Sequence, residues 1–328
     1  MNEGYEQLRA QVVAQGLFRR TYGYYAIYGL LLISCTALSL YIITLTPSPL
    51  AQFFNAILLG VCFVQAGMLG HDLSHDQVFS SRRLNKFFAV LVWGLFAAAS
   101  EGKWYEKHNS HHKHVNRVNH DPDLDIPFLF SEKQLADRSQ FFKRYMLPYQ
   151  HILFFCFLPL VYLGIHRESL KYISRHPTMR SMTELALFVI HFAVLFYLLF
   201  TYLPPGVAIM FFIVHALVGG LYMGLAFAPN HKGEEITDEN TPVTWVNQIT
   251  STRDLYPTRF IFHAMGGLNF QIEHHLFPTM PRMQYFKANT VLKDFCARNN
   301  IPFHETSLYG SMKEIYAALK RESTILQQ

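Results

Sequence analysis

Four long apolar runs, at residues 24–45, 50–69, 185–203 and 207–227, constrain this chain more than any other feature of its sequence. Each approaches the ~20 residues that a helix needs to cross ~30 Å of hydrocarbon. Thr46, Pro47, Ser48 and Pro49 separate the first two runs, and Pro204, Pro205 and Gly206 the second two. Joints so short and so rich in Pro predict two helical hairpins. Two shorter runs, 87–99 and 152–165, have the length of interfacial, re-entrant or core helices and are expected at the membrane surface.

The placement of charge agrees with this map. With four spans, all 28 Lys and Arg fall on one side, because neither hairpin joint carries one. Basic residues favour the cytoplasm, so that side holds both termini and the stretches 71–184 and 228–328. Had both shorter runs spanned as well, Lys103 to Arg144 would sit on the other side, taking His108, His111 and His112 away from His71. The expected fold is an all-α integral membrane protein, one domain over residues 1–328. Four transmembrane helices in two hairpins carry a cytosolic, helical, His-rich cap, and 311–328 predict a closing amphipathic helix. Charged residues make up 16% of the chain, against ~25% in soluble domains, as suits a protein partly dissolved in lipid. The net charge of +5 includes no dense basic stretch, so nucleic acid is not an expected partner. The four Cys lie far apart and offer neither a disulfide framework nor a zinc-ribbon or iron–sulfur spacing. The polar, amphipathic N-terminal segment does not read as a secretory signal.

Most of the 17 His cluster outside the apolar runs. His71 and His75 stand four apart directly after the second run, and share a face if that helix continues past the membrane surface. His108, His111 and His112 take positions i, i+3 and i+4, again one face. Gln271, His274 and His275 repeat that register with Gln in the first slot. His231 follows the fourth run and emerges on the same side. A structural zinc site takes four ligands; eight imidazoles suit two metal ions that keep open positions. The near absence of thiolate argues against zinc-finger and iron–sulfur chemistry, whereas imidazole suits iron, zinc and copper alike. Metal-bound imidazoles commonly donate their other ring N–H to a nearby acceptor, a role for which Asp72 and Asp121 are candidates, with Asn230 and Gln271 as further supports. His215 and Tyr222 lie inside the fourth run, where polar groups turn to the bundle interior. They are candidates to line a substrate passage, with a helix–helix hydrogen bond the simpler use of His215. His151, His166, His176, His263 and His304 read as surface or hydrogen-bonded residues.

Taken in order, HDLSH (71–75), HNSHH (108–112) and QIEHH (271–275) resemble the three histidine boxes of the membrane fatty acid desaturase family. The flanking GGLNF (266–270), LFP (276–278), DPD (121–123) and APNHK (228–232) extend the likeness over nearly the whole chain. Gln in the first slot of the third box is typical of front-end and related bacterial acyl desaturases. The resemblance implies a diiron centre held by His71, His75, His108, His111, His112, His231, His274 and His275. It also implies an O2-dependent oxidoreductase that sets a cis double bond into an acyl-CoA or acyl-lipid. No side-chain acid or base removes hydrogen from an unactivated methylene; a redox metal with O2 as oxidant supplies that chemistry.

Many front-end desaturases carry a fused cytochrome b5 domain with an HPGG haem motif. That motif and a GxGxxG nucleotide fingerprint are both missing from this sequence, so electrons are expected from a separate ferredoxin, or from cytochrome b5 with its reductase. The likeness of 228–232 to the bacterial branch favours a bacterial inner membrane over the endoplasmic reticulum. Two alternatives share parts of the pattern. A diiron lipid or alkane hydroxylase uses the same metal site, but QIEHHLFP favours desaturation. A His-rich metal transporter would place its ligands within spans near the midplane, not after them.

Overall fold

The computed structural model describes residues 3–134 and 138–325. Residues 1–2, 135–137 within the expected cytosolic stretch, and 326–328 at the end of the expected closing helix lie outside them. After α1 (Glu3–Ala14), the first hairpin forms where its sequence predicts. Helix α2 (Tyr22–Leu45) stops at Thr46, and α3 (Pro49–Ser74) opens on Pro with Ser48 as its cap. Pro suits that position because its missing N–H belongs to the unpaired first turn. Gln52 closes the joint by donating to the carbonyls of Ile42 at 3.0 Å and Thr46 at 2.7 Å. One turn on, the Ser39 hydroxyl donates to Asn55 Oδ1 at 2.7 Å, and Asn55 returns a bond to the Ser39 carbonyl at 3.0 Å. These polar groups inside apolar helices are thus paired within the hairpin, as surroundings without water demand.

Helix α4 (Arg82–Leu91) runs through a π turn to Phe96, and α5 (Glu101–His114) leaves it at 113°. Further on come α6 (Gln150–Phe157), α7 (Val161–Arg175) and the second hairpin, α8 (Met179–Tyr202) with α9 (Pro205–His231). The remainder holds α10 (Trp245–Thr250), β1 (Asp254–Leu255), α11 (Arg259–Ala264), α12 (Gln271–Leu276), α13 (Tyr285–Arg298), β2 (Glu305–Thr306) and α14 (Leu308–Ile325). The two strands pair in parallel, Asp254 opposite Glu305.

Among the described residues, five helical stretches are long and apolar enough to cross a membrane: α2, α3, residues 142–175, α8 and α9; the bent pair 82–96 and 101–114 would make a sixth. The protein is therefore mostly helical and multi-pass by composition. The run 152–165 is longer as a helix than its apolar length predicts: it belongs to a 34-residue helical stretch, 142–175. Its polar flanks, His151 and Arg167, mark where the apolar run ends, whereas α7 continues past Arg167 as an amphipathic helix burying Tyr162, His166, Ser169 and Ile173.

The chain forms two compact units. One comprises residues 20–105 and 158–225. Within it α3 is mostly buried, while α2 and α8 leave large apolar side chains uncovered; Ile27 and Leu30 are 64% and 65% exposed. Such rows make sense only in an apolar solvent. Ile43, Ala56, Leu59, Leu195, Leu199 and Phe211 form a core joining α2, α3, α8 and α9. Gly220 is required by close approach, since a Cβ there would collide with the Pro159 carbonyl.

The other unit comprises the described parts of 1–19, 106–157 and 226–328. In it α1 packs on α13, α10 and α13 on α12, and α6 on α14. Gln150, fully buried, accepts from the Leu129 N–H at 2.9 Å and donates to the Leu129 and Leu319 carbonyls at 3.0 Å each. Tyr5 of α1 donates to the Leu276 carbonyl at 3.1 Å and stacks on Phe277, which holds the end of α12.

Candidate metal centre

In the unit of residues 20–105 and 158–225, α3 continues beyond its apolar run and carries His71 and His75 on one face, their ring centroids 4.7 Å apart. Both rings meet Trp104 edge-on at 5.3 and 5.6 Å. His71 is 1% exposed, and its Nδ1 faces Asp72 Oδ1 at 3.2 Å. The other oxygen of Asp72 accepts from the Tyr25 hydroxyl at 2.7 Å. Asp72 therefore holds the ring with its proton on Nδ1 and its Nε2 lone pair outward.

The second unit brings together His108, His111 and His112 from α5, His231 from the end of α9, and His274 and His275 from α12. The helical register divides them. His112 Nε2 lies 2.9 Å from His108 Nε2 and 3.0 Å from His274 Nε2. His231 Nε2 lies 3.3 Å from His111 Nε2 and 3.1 Å from His275 Nε2. Gln271 joins the latter group, its amide nitrogen 3.0 Å from His231 Nε2 and its oxygen accepting from Asn230 at 3.2 Å.

The opposite ring nitrogens find acceptors. His111 Nδ1 meets both oxygens of Asp121 at 3.0 Å. His275 Nδ1 meets Gln248 Oε1 at 2.8 Å, while the Gln248 amide donates to the His112 carbonyl at 2.7 Å. His231 Nδ1 faces the Ser251 carbonyl at 3.5 Å, and His274 Nδ1 the Tyr285 hydroxyl at 3.2 Å. With the protons of His111, His231 and His275 on Nδ1, their Nε2 atoms converge on one another and on the Gln271 amide nitrogen. A cation between them would accept these lone pairs. Metal–nitrogen bonds of ~2.0–2.1 Å at right angles separate two donor nitrogens by ~3 Å, the spacing observed. The all-imidazole donor set therefore fits metal ions.

The turn after α5 explains how Asp121 reaches His111. Asn116 and Asn119 adopt φ of 50° and 63°, left-handed values that Asn tolerates better than most residues. The chain folds back, and the Asn116 and Asp123 N–H groups donate to Asp121 at 2.7 and 2.9 Å. The Asn116 amide also donates to the His231 carbonyl at 3.0 Å. Burial works against a charged His111, but Asp121 and Asp123 outweigh it and raise its pKa above the ordinary value. Burial likewise opposes ionisation of Asp123, yet Lys107, His111 and Lys232 hold its pKa well below the carboxylate range. Beneath α12, burial first and then mutual repulsion raise Asp254, and burial raises Glu273; Asn289 donates to both at 3.0 Å. Asp254 also accepts the Ile272 N–H at 2.9 Å, fixing the first turn of α12.

The profile of the Fatty acid desaturase family matches residues 47–307. The chain belongs to this family. Its relatives include the Delta(6)-fatty-acid desaturase fat-3 of Caenorhabditis elegans, 30% identical over 92% of this chain and 71% of the relative. The Delta(5) fatty acid desaturase fat-4 of the same organism is 35% identical over 76% of this chain and 59% of its own. An acyl-lipid (9-3)-desaturase of Physcomitrium patens is 30% identical over 96% and 62%. This desaturase thus spans about three fifths to seven tenths of the length of these relatives. The protein is a fatty-acyl desaturase and an oxidoreductase. The relatives named are eukaryotic, which does not favour the bacterial membrane expected above.

Of the desaturase's other expected residues, Asn230 is fully buried and bonded to Gln271. His215 is packed against Phe63, its Nε2 3.3 Å from the Tyr162 hydroxyl, the helix–helix use foreseen for it. Tyr222 accepts from Gln65 at 2.6 Å. Sequence reasoning missed Gln248, Ser251 and Tyr285, which meet the imidazoles from separate elements and belong to no motif. It also missed Asn116, although an Asn five residues before Asp121 does signal a turn.

Proposed function

We propose that this desaturase uses O2 and two irons to set a cis double bond into an acyl-CoA or acyl-lipid, drawing electrons from a separate ferredoxin or from cytochrome b5 with its reductase. The facing Nε2 lone pairs of the second unit carry this reading. His108, His112 and His274 would contribute to one ion and His111, His231 and His275 to the other; His71 and His75 are the remaining two of the eight ligands that the resemblance implies. Bound iron supplies the O2-dependent oxidation of the methylene that the protein's own acids and bases lack. Asp72, Asp121, Gln248 and Tyr285 occupy Nδ1 of His71, His111, His275 and His274 and so hold those Nε2 atoms available to metal. Asn230 orients Gln271 beside His231. His215 and Tyr222, polar groups of the fourth run, are the candidates to line an acyl passage. The names of the relatives, Delta(6) and Delta(5), support a double bond set toward the carboxyl end of the chain.

Four spans, α2, α3, α8 and α9, with 142–175 and the bent pair at the interface, put both termini and every Lys and Arg in the cytoplasm; reporter fusions at each end test this. Single His→Ala changes at the eight positions should leave membrane insertion intact and abolish both bound iron and product. Full activity of His111→Ala or His275→Ala would refute the ligand set. Feeding defined fatty acids to an expressing host, with mass-spectrometric localisation of the new double bond, reads the regioselectivity.

A further inference from the structure

Helix α4 carries three cations, Arg82, Arg83 and Lys86, and no acid. Its buried face is narrow, formed by Asn85 and Ala89 and continued by Val92. At 100° per residue, Leu84, Phe88, Leu91 and Leu95 form a second apolar stripe beside that face. Leu84, Phe88 and Leu95 are exposed, as is Phe87 at 58%. A helix with one apolar stripe against protein, another uncovered and a cationic edge is built to lie in the plane of a membrane interface.

Between α4 and the first turns of α8 lies a groove of about 210 Å³, lined by Lys86, Phe87, Val90, Leu91, Arg180 and Thr183. All six residues belong to one unit. Arg180 is held by two carboxylates, Glu101 and Glu184, so its guanidinium is fixed and adds no net positive charge to the groove. Arg82 pairs with Asp76 at 3.3 Å. Lys86 is exposed and makes no ion pair among the described residues. The groove is smaller than the ~300–1,000 Å³ pockets that enclose whole ligands. It suits one segment of a longer molecule whose remainder lies elsewhere.

We propose that this groove binds an anionic glycerophospholipid, with the phosphate on Lys86 and an acyl chain along Phe87, Val90 and Leu91. Charge selects the head group: the uncompensated cation is Lys86, and Arg83 adds to the positive field on the same helix. Position selects the lipid: α8 is apolar enough to span and starts at Met179, so its first turn lies at headgroup level. The apolar lining then continues into the uncovered stripe of α4. The proposal rests on the multi-pass reading and is independent of the metal ligands.

The full-length enzyme, purified in mild detergent after reconstitution in mixed phosphatidylcholine and phosphatidylglycerol, tests it by native mass spectrometry of retained lipid. Wild type should keep phosphatidylglycerol in preference to phosphatidylcholine. Lys86→Glu and Lys86→Gln should each lower that retention about fivefold or more, while Lys320→Glu, a charge reversal on exposed α14, leaves it unchanged. A single symmetric peak on size-exclusion chromatography and an unchanged melting temperature report whether each variant is folded, and Lys86→Gln stands in if the reversal is not. Equal retention of the two lipids, or unchanged retention in a folded Lys86 variant, would overturn the proposal. Displacement of the lipid by millimolar inorganic phosphate would also overturn it, by assigning the site to free phosphate. None of these outcomes touches the assignment of the spans.

Discussion

Asp121→Asn isolates what one carboxylate does for the centre. The replacement keeps the shape and exchanges one oxygen for NH2. Asp121 now accepts from His111 Nδ1, at 3.0 Å on each oxygen, from the Asn116 N–H at 2.7 Å and from the Asp123 N–H at 2.9 Å. The two backbone donors approach different oxygens. An amide therefore leaves one of them facing its NH2, whichever way it turns. At 4% exposure water does not replace the lost acceptor, and an unsatisfied buried donor costs ~1–3 kcal/mol. His111 in addition loses its anionic partner. Loss of such a support typically lowers metal affinity ~10–100-fold, or ~1.4–2.7 kcal/mol. The variant should melt several degrees below the parent, release its metal to a competing chelator at ~10–100-fold lower chelator strength, and form correspondingly less product. If Asp121→Asn holds metal within about twofold of the parent while His111→Ala loses it, the carboxylate does not orient this imidazole.

Gly220→Ala should destabilise the bundle by ~1–3 kcal/mol or more, seen as a lower melting temperature in detergent, because the new methyl meets the Pro159 carbonyl rather than a flexible side chain; an unchanged melt would mean that α9 and this segment do not touch so closely. Arg253→Met removes the fully buried cation that pairs with Glu234 at 3.1 Å and with Glu314, leaving Glu234 only His304, and should cost up to ~3–5 kcal/mol, detectable as aggregation or poor recovery from membranes. His304 sits 2.9 Å from Glu234, and that hydrogen bond, partly opposed by burial, raises its pKa. Its contribution to stability is therefore complete below the ordinary His value of ~6.5 and is lost as pH rises through the raised folded value. Melting curves of His304→Gln and the parent should diverge at acid pH and converge above neutrality; parallel curves across that window would remove the ion pair from the account.

Much of the fold and part of the site were legible in the residues. Length and apolarity locate α2, α3, α8 and α9 because a membrane span is a local property, needing only enough consecutive apolar side chains. Five of the eight candidate ligands were legible in the same way: His71 with His75, and His108 with His111 and His112, share a helix face through spacing alone. The helical stretch 142–175 was less legible, because α7 is amphipathic beyond Arg167 and its polar side chains mask its length.

Sequence alone determined which nitrogens were on offer, the imidazoles of three boxes and of His231, and that they follow apolar runs instead of lying within them. Tertiary structure decided their grouping, pairing His112 with His274 at 3.0 Å and His111 with His231 at 3.3 Å across 162 and 120 residues of chain. It also decided the ring orientation, through acceptors such as Gln248, 27 residues from His275. Helical spacing specifies a face, but the rotation of a ring on that face depends on what packs against it, and those neighbours come from turns and helices that local propensity does not connect.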